Sequence, residues 1–268
     1  RENVVSLARN IGYVPRSKTA ARAEISLSIP VYDPTPFLWL KPGLVCVGRS
    51  DNTSFTFSIT KKQVATCTGY DSDTGTPGVA NFPSITVYQG TYLKKVFKVN
   101  TAQDQRFIID NPDIDTSTLI VHVGDVNGTL REYKKVDNIL KLNKNSEIYM
   151  IQEVQDEKYE LLFGDGFFGK KLENNQDIVV EYIVTDGITA NGATNFIYQG
   201  QITDAAEVRK VPFDDGGSNR LTLTTIRAAS SGADIENLSS IKYFAPRLYS
   251  SQHRAVTGRD YEAIIQNI

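Results

Sequence analysis

The feature that most constrains this chain is a long succession of short β-like segments separated by turn signals, with no helical pattern between them. From Phe37 to about Val211 the candidate strands are residues 44–47, 55–59, 63–68, 85–88, 96–99, 107–109, 119–123, 148–152, 159–163, 178–185 and 195–202. Lys41-Pro42-Gly43, the stretch 71–78, Asn111-Pro112-Asp113, Asn127-Gly128 and Asp186-Gly187 fall between them. That spacing predicts antiparallel barrels or sandwiches and argues against βαβ units, so an enzyme built on a parallel nucleotide-binding sheet is not expected.

The flanks read differently. Val4, Leu7, Ala8 and Ile11 lie on one face of a short helix, with Gly12 placed to end it in the left-handed conformation and Pro15 to block continuation. Residues 24–29 then alternate with period two, as a half-buried strand does. The strand pattern stops at the polar loop 214–219, a candidate boundary and hinge, and residues 221–229 are compatible with a helix. At the C-terminal end Thr257 is placed to cap a helix, Asp260 stands as in a capping box, and Val256 and Tyr261 form a hydrophobic staple. Ile264 and Ile268 continue an apolar stripe that needs a partner surface, and His253 reads as a polar surface or interface residue. The expected fold is α+β and β-rich: antiparallel barrel-like or sandwich-like domains with short flanking helices and a helical C-terminal region. Its expected divisions are 1–24 (helix and linker), 25–105 and 106–215 (two β-rich domains), and 216–268 (mainly helical, continuing into a longer protein).

Composition narrows function. Over 268 residues, 40% apolar and 22% charged side chains exclude whole-chain disorder. Lys and Arg number 29 against 31 Asp and Glu, a net charge of -2, which removes the electrostatic case for general nucleic-acid binding. The lysine pairs Lys61-Lys62, Lys94-Lys95, Lys134-Lys135 and Lys170-Lys171 lie beside strand-like runs, where lysines discourage edge-to-edge pairing. Cys46 and Cys67 are too few for a disulfide framework and suit a reducing compartment. No apolar run approaches the ~18 residues of a membrane span.

One motif invites a cofactor reading. Gly164-Asp165-Gly166-Phe167-Phe168-Gly169 matches G-x-G-x-x-G after a strand-like run that ends at Phe163, with Asp186 at a suitable distance. A pyrophosphate site needs a helix directly after the glycines, and residues 170–177 carry no apolar helical face. The segment therefore reads as a wide β-hairpin connection in which glycines supply positive φ and Asp165 bonds local amides. Asp71-Ser72-Asp73 begins like a calcium loop, but position twelve of that frame is Phe82. His122 and His253 belong to no metal-ligand spacing, and no G-x-S-x-G elbow is present. The aromatics occur singly along strands, and Trp39, within a very apolar run, reads as a buried anchor. No catalytic, cofactor-binding or metal-binding residue is expected.

Three stretches together resemble the baseplate J-like family, the wedge proteins of contractile tails such as those of T4-like bacteriophages. The first is Leu161-Leu162-Phe163-Gly164-Asp165-Gly166-Phe167-Phe168-Gly169 with Ile178-Val179-Val180-Glu181-Tyr182 and Asn191-Gly192-Ala193, similar to the family's F-G-D-G hairpin, strand and G-N turn, whose order Asn191-Gly192 reverses. The second is Ala245-Pro246 followed by Arg254-Ala255-Val256-Thr257 and Asp260-Tyr261, similar to the family's passage ahead of a helix. The third is the opening helix with Gly12, the step into residues 25–29, and Lys41-Pro42-Gly43. The resemblance implies a C-terminal-side piece of a non-enzymatic scaffold subunit that joins neighbouring wedges into a ring and accommodates tail contraction. It further implies partners among copies of itself and other wedge proteins, and a place in the virion tail baseplate after assembly in the host cytoplasm. It leaves no role for nucleic acid, membrane insertion or a small-molecule substrate. The rival reading is a tail-associated carbohydrate-binding or hydrolytic module acting on the host envelope, with a groove of tyrosines and carboxylates.

Overall fold

The structure, a computed structural model, describes residues 1–32, 34–125, 127–136, 142–204 and 221–251. In chain order the elements are α1 (Glu2–Asn10), β1 (Arg22–Val31), β2 (Phe37–Leu40), β3 (Gly43–Ser50), β4 (Thr53–Ile59), β5 (Gln63–Thr68), β6 (Gly78–Gln89), β7 (Thr91–Lys98), β8 (Phe107–Ile109) and β9 (Ile114–Gly124). They continue as β10 (Leu130–Lys135), β11 (Ile148–Glu153), β12 (Tyr159–Phe163), β13 (Asp177–Val184), β14 (Thr194–Tyr198), β15 (Ile202–Thr203), β16 (Thr222–Ser230) and α2 (Leu238–Ser251). The fold is thus α+β and β-rich, dominated by antiparallel ladders, and β10 and β11 form a parallel pair.

Two compact units alternate along the chain. One comprises Arg1–Lys18, Lys94–Glu181 and the chain from Ile235; the other comprises Thr19–Leu93 and Tyr182–Asp234. The second unit holds a sheet in the order β14-β3-β4-β6-β5-β2-β15, with β1 joined to β6 and β16 to β1. Along β1 burial alternates strictly, and Ala23, Ile25, Leu27, Ile29 and Val31 point into the core with Phe57, Val87 and Leu40. Pro83 sits in β6 where the register with β1 shifts between Ile25↔Ile85 and Leu27↔Phe82, a place where a missing N–H is tolerated. Gly48 has no Cβ because one would stand 2.4 Å from the Phe196 ring, which packs edge-on against Phe57 at 5.0 Å.

The core of this unit also holds Gln89, 1% exposed and hydrogen-bonded through both its amide oxygen and its amide nitrogen. Its Oε1 accepts from the Thr185 hydroxyl (2.6 Å) and the Asp186 N–H (3.0 Å), and its Nε2 donates to the Asp186 carboxylate (2.7 Å). One side chain therefore ties the end of β6 to the turn after β13.

In the first unit the other sheet runs β7-β13-β9-β10-β11-β12-β8. There α1 buries Val5 and Ala8 against Ile241, Ala245 and Leu248 of α2. Its end forms a Schellman arrangement: the Tyr13 N–H donates to Ala8 O (3.0 Å), the Gly12 N–H donates to Arg9 O (2.9 Å), and Gly12 has φ +81°. Asn237 caps α2 by accepting the Ser240 N–H at 2.8 Å. Next to it, the buried Glu236 carboxylate receives the Tyr13 hydroxyl (2.7 Å), the Arg16 N–H (3.1 Å) and the Ser240 hydroxyl (2.5 Å), fixing both helices to one point.

Three expectations are corrected here. Residues expected to be helical around 221–229 form β16, because β1 offers a nine-residue strand an antiparallel partner from Arg22↔Ser230 to Ser28↔Thr222. Trp39 is half-buried on the outer side of β2 with the Lys62 ammonium 3.7 Å from its ring, while Leu38 and Leu40 are the anchors. Lys134 and Lys135 lie in a strand paired with both β9 and β11, so they guard no edge, whereas Lys94 and Lys95 do lie on the edge strand β7. Loop 214–219 lies outside the described residues.

Replacing Gln89 by Leu is expected to cost about 1–3 kcal/mol in urea unfolding, because it strands the Thr185 hydroxyl and the Asp186 N–H.

Candidate interaction site

The hairpin after β12 is built on an aromatic base. Phe163, at the end of β12, is half-buried and meets Phe107 edge-on at 5.6 Å and Tyr133 at 6.0 Å. The chain then turns at Gly164, which bridges to Lys171; a Cβ here would lie 2.2 Å from the carbonyl carbon of Gly169. Gly166 and Gly169 take φ of +96° and +90°, a region that L side chains rarely enter. At Gly169 a Cβ would also press on Ile148 at 2.9 Å.

Asp165 organises the turn. Its Oδ1 accepts the N–H groups of Phe167 (2.8 Å) and Phe168 (2.9 Å), and the Gly166 N–H donates to Gly169 O at 3.1 Å. The loop is also held from outside: the Gly169 N–H donates to Asn143 O (3.1 Å) and the Lys170 N–H to Ser146 O (2.8 Å). Residues 143–146 are themselves a closed turn, in which Asn143 Oδ1 accepts the Asn145 N–H and Ser146 Oγ accepts the Asn143 N–H. With its backbone spent on these bonds, the loop presents Phe167 at 81% exposure and Phe168 at 52%. Phe167 is the most exposed large apolar side chain among the described residues.

Backbone N–H bonds from Phe168 and Phe167 hold the Asp165 carboxyl below the usual aspartate range, and the Lys171 ammonium adds to this. Lys170 reaches Glu147 at 3.4 Å, and Arg131 reaches the same carboxylate at 3.6 Å. These surface pairs contribute little individually, but they leave both signs of charge around an apolar tip. After Gly169 the chain runs through residues 170–176 into β13 without a helix, so the glycines face no helix N-terminus.

The remaining predicted residues fall elsewhere. His253, Thr257, Asp260, Tyr261, Ile264 and Ile268 lie outside the described residues. His122 is a strand residue of β9 opposite Glu132. The Asp71 carboxylate is occupied by the Asp73 N–H (2.9 Å) and the Thr74 hydroxyl (2.7 Å), which closes a local turn. Among the described residues, no three His, Cys, Asp or Glu side chains gather as ligands for a metal ion.

A cleft of about 1470 Å³ in the first unit is lined in part by α1, β8 and the turn 153–158, and several of its lining residues form ion pairs. Arg1 meets Glu153 at 3.0 Å, Arg106 meets Glu160 at 2.7 Å and Lys158 meets Asp110 at 2.7 Å. Burial raises the Glu153 carboxyl pKa, with Arg1 opposing that shift. This arrangement ties the start of α1 to the turn at 153–158.

No family model matches the chain. It is similar to baseplate wedge protein gp6 of Enterobacteria phage T4, being 24% identical over 290 aligned positions that take in 99% of this chain and 40% of the relative. The chain is related to baseplate wedge proteins. It spans less than half the length of that relative, and the match covers the hairpin and both units alike. Reading by residue type had marked the glycines and Asp165 but missed Phe167 and Phe168, whose signal is two adjacent large aromatics at the centre of a turn.

Gly164→Ala is expected to destabilise the chain by about 1–3 kcal/mol in denaturant titration, since the new methyl meets backbone that cannot move aside. Because the folded-state pKa of Asp165 is depressed, the order it confers is complete above the unfolded value and is lost as pH falls through the folded one. The Phe167 and Phe168 amide resonances should therefore titrate with a midpoint below the ordinary value of 3.8.

Proposed function

We propose that this chain is a structural, non-enzymatic part of a phage tail baseplate, acting through contacts with other wedge proteins and with copies of itself. The observation that carries this reading is the similarity to a baseplate wedge protein across 99% of the chain. In support, the described residues form two β-rich units, and the core of the second is walled by long antiparallel ladders, as suits a part that transmits load. Arg1 and Glu153, and Lys158 and Asp110, all in the lining of the cleft, are paired with one another.

In this reading the chain joins neighbouring wedges into a ring around the tail tube and keeps them joined as the ring rearranges on contraction. Each such contact needs on the order of 1,200 Å² of buried surface or more. The partners are proteins; nucleic acid, membrane insertion and a small-molecule substrate play no part. The place of action is the virion tail baseplate, reached after assembly in the host cytoplasm.

The test is to mix the chain with purified wedge proteins from the same particle and follow the mass by sedimentation, with envelope sugars added in parallel. A stoichiometric protein complex and an unchanged melting temperature with sugar are expected. A chain that joins no wedge protein but gains ~2.7 kcal/mol of stability at a hundredfold excess over the sugar's Kd would instead make it a carbohydrate-binding module.

A further inference from the structure

The turn between β11 and β12 is strained. Asp156 and Glu157 take φ of +59° and +58°, the one adjacent pair of non-glycine residues in the left-handed region among those described. A hairpin turn of this mirror-image kind favours asparagine or glycine at such positions, and a glutamate gains nothing there from its own backbone. Strain of that sort persists only where the surroundings hold it. The Val154 N–H closes the turn on Lys158 O at 2.8 Å, and the Glu157 carboxylate lies 3.3 Å from the Arg1 guanidinium.

Arg1 also grips two further places. Its Nε and one terminal nitrogen donate to the two carboxylate oxygens of Glu153, at the end of β11, at 3.0 and 3.2 Å. Its other terminal nitrogen donates to the Glu236 carbonyl just ahead of α2. The Glu153 side chain is 2% exposed and that of Arg1 15%, so this grip lies largely out of water. By contrast little apolar surface anchors α1: of its nine residues Val5 and Ala8 are buried, against α2. A helix of that length does not persist by itself.

From these contacts we infer that α1 and the turn at 155–157 form one two-state element with Arg1 as its latch. With the guanidinium seated, α1 is docked and Glu157 is held left-handed. With it displaced, the turn relaxes, Glu153 reaches water and α1 leaves α2, while the sheet of the first unit keeps its ladders. Residues of α1 and of the turn line the cleft, so the latch also sets how open the cleft is. Glutamate at 157 is what makes the two halves one element, because glycine would suit the backbone better but would take a carboxylate from Arg1. The inference stands apart from the scaffold reading; it gives the first unit a way to change shape at one corner.

The experiment is amide hydrogen exchange on the whole chain, followed by NMR, for the parent, Glu157→Gly, Arg1→Met and the double variant. Glu157→Gly is expected to act with opposite signs at the two ends: the turn amides of Val154 and Lys158 exchange more slowly than in the parent, and those of α1 more quickly. In Arg1→Met the α1 amides are expected to exchange at least roughly tenfold faster, with the resonances of residues 155–158 shifting in the same variant and β1 and β6 unchanged. The double variant should match Glu157→Gly at the turn, because a glycine turn needs no latch. The inference is overturned by α1 exchange equal to the parent's in Arg1→Met, or by turn resonances that stay in place while α1 loosens. Should Arg1→Met fail to fold, Glu157→Gly decides alone: an effect of the same sign at both ends, or none at α1, makes Arg1 an ordinary ion-pair partner and the latch wrong.

Discussion

The pairing of β1 with two partners at once is the constraint on which the second unit depends. On one edge β1 is bonded to β6 from Arg22↔Tyr88 to Val31↔Gly78, and on the other to β16 from Arg22↔Ser230 to Ser28↔Thr222. Its inward residues, from Ala23 to Val31, supply one wall of the core, and every other strand of that sheet is attached through β6. Closing a ladder between residue 22 and residue 230 gives up chain entropy before any core forms, although the cost grows only logarithmically with loop length. Burial of that wall and the satisfied ladder are what offset it, and such non-local pairing is slow to form.

How much of this was legible follows from what each strand depends on. Residues 63–68, 107–109 and 159–163 could be bounded from their own composition, and the structure places β5, β8 and β12 on those same residues. Three strands escaped. β2 is four residues between prolines, β10 is Leu-Arg-Glu-Tyr-Lys-Lys with a single buried side chain, and β16 mixes Thr with helix-tolerant Leu, Arg and Ala. For β16 the deciding term is not in its own sequence: β1, some two hundred residues earlier, provides the ladder that local propensity cannot foresee. The alternation of two units along the chain has the same origin.

The hairpin shows the opposite balance. Three glycines and an aspartate within six residues dictate a particular turn, because positive φ and an Asx-type acceptor are properties of those residues alone. Exposure of the two phenylalanines is not such a property. It depends also on how the loop is anchored, with the Gly169 and Lys170 amides taken by the turn at 143–146. The stripe at the C-terminal end, which sequence reading favoured as an interface, lies outside the described residues, so the aromatic tip is the surface on which the geometry speaks.

The central claim is that the chain is a built-in part of the tail baseplate rather than an accessory that acts on the host surface. The most direct measurement is its position in intact particles, read by electron microscopy of virions in which the protein carries a small epitope tag labelled with gold. Label confined to the baseplate, in several copies per particle and retained after tail contraction, is the predicted result. Label on fibres or capsid, or particles that assemble complete baseplates without the protein, would contradict it.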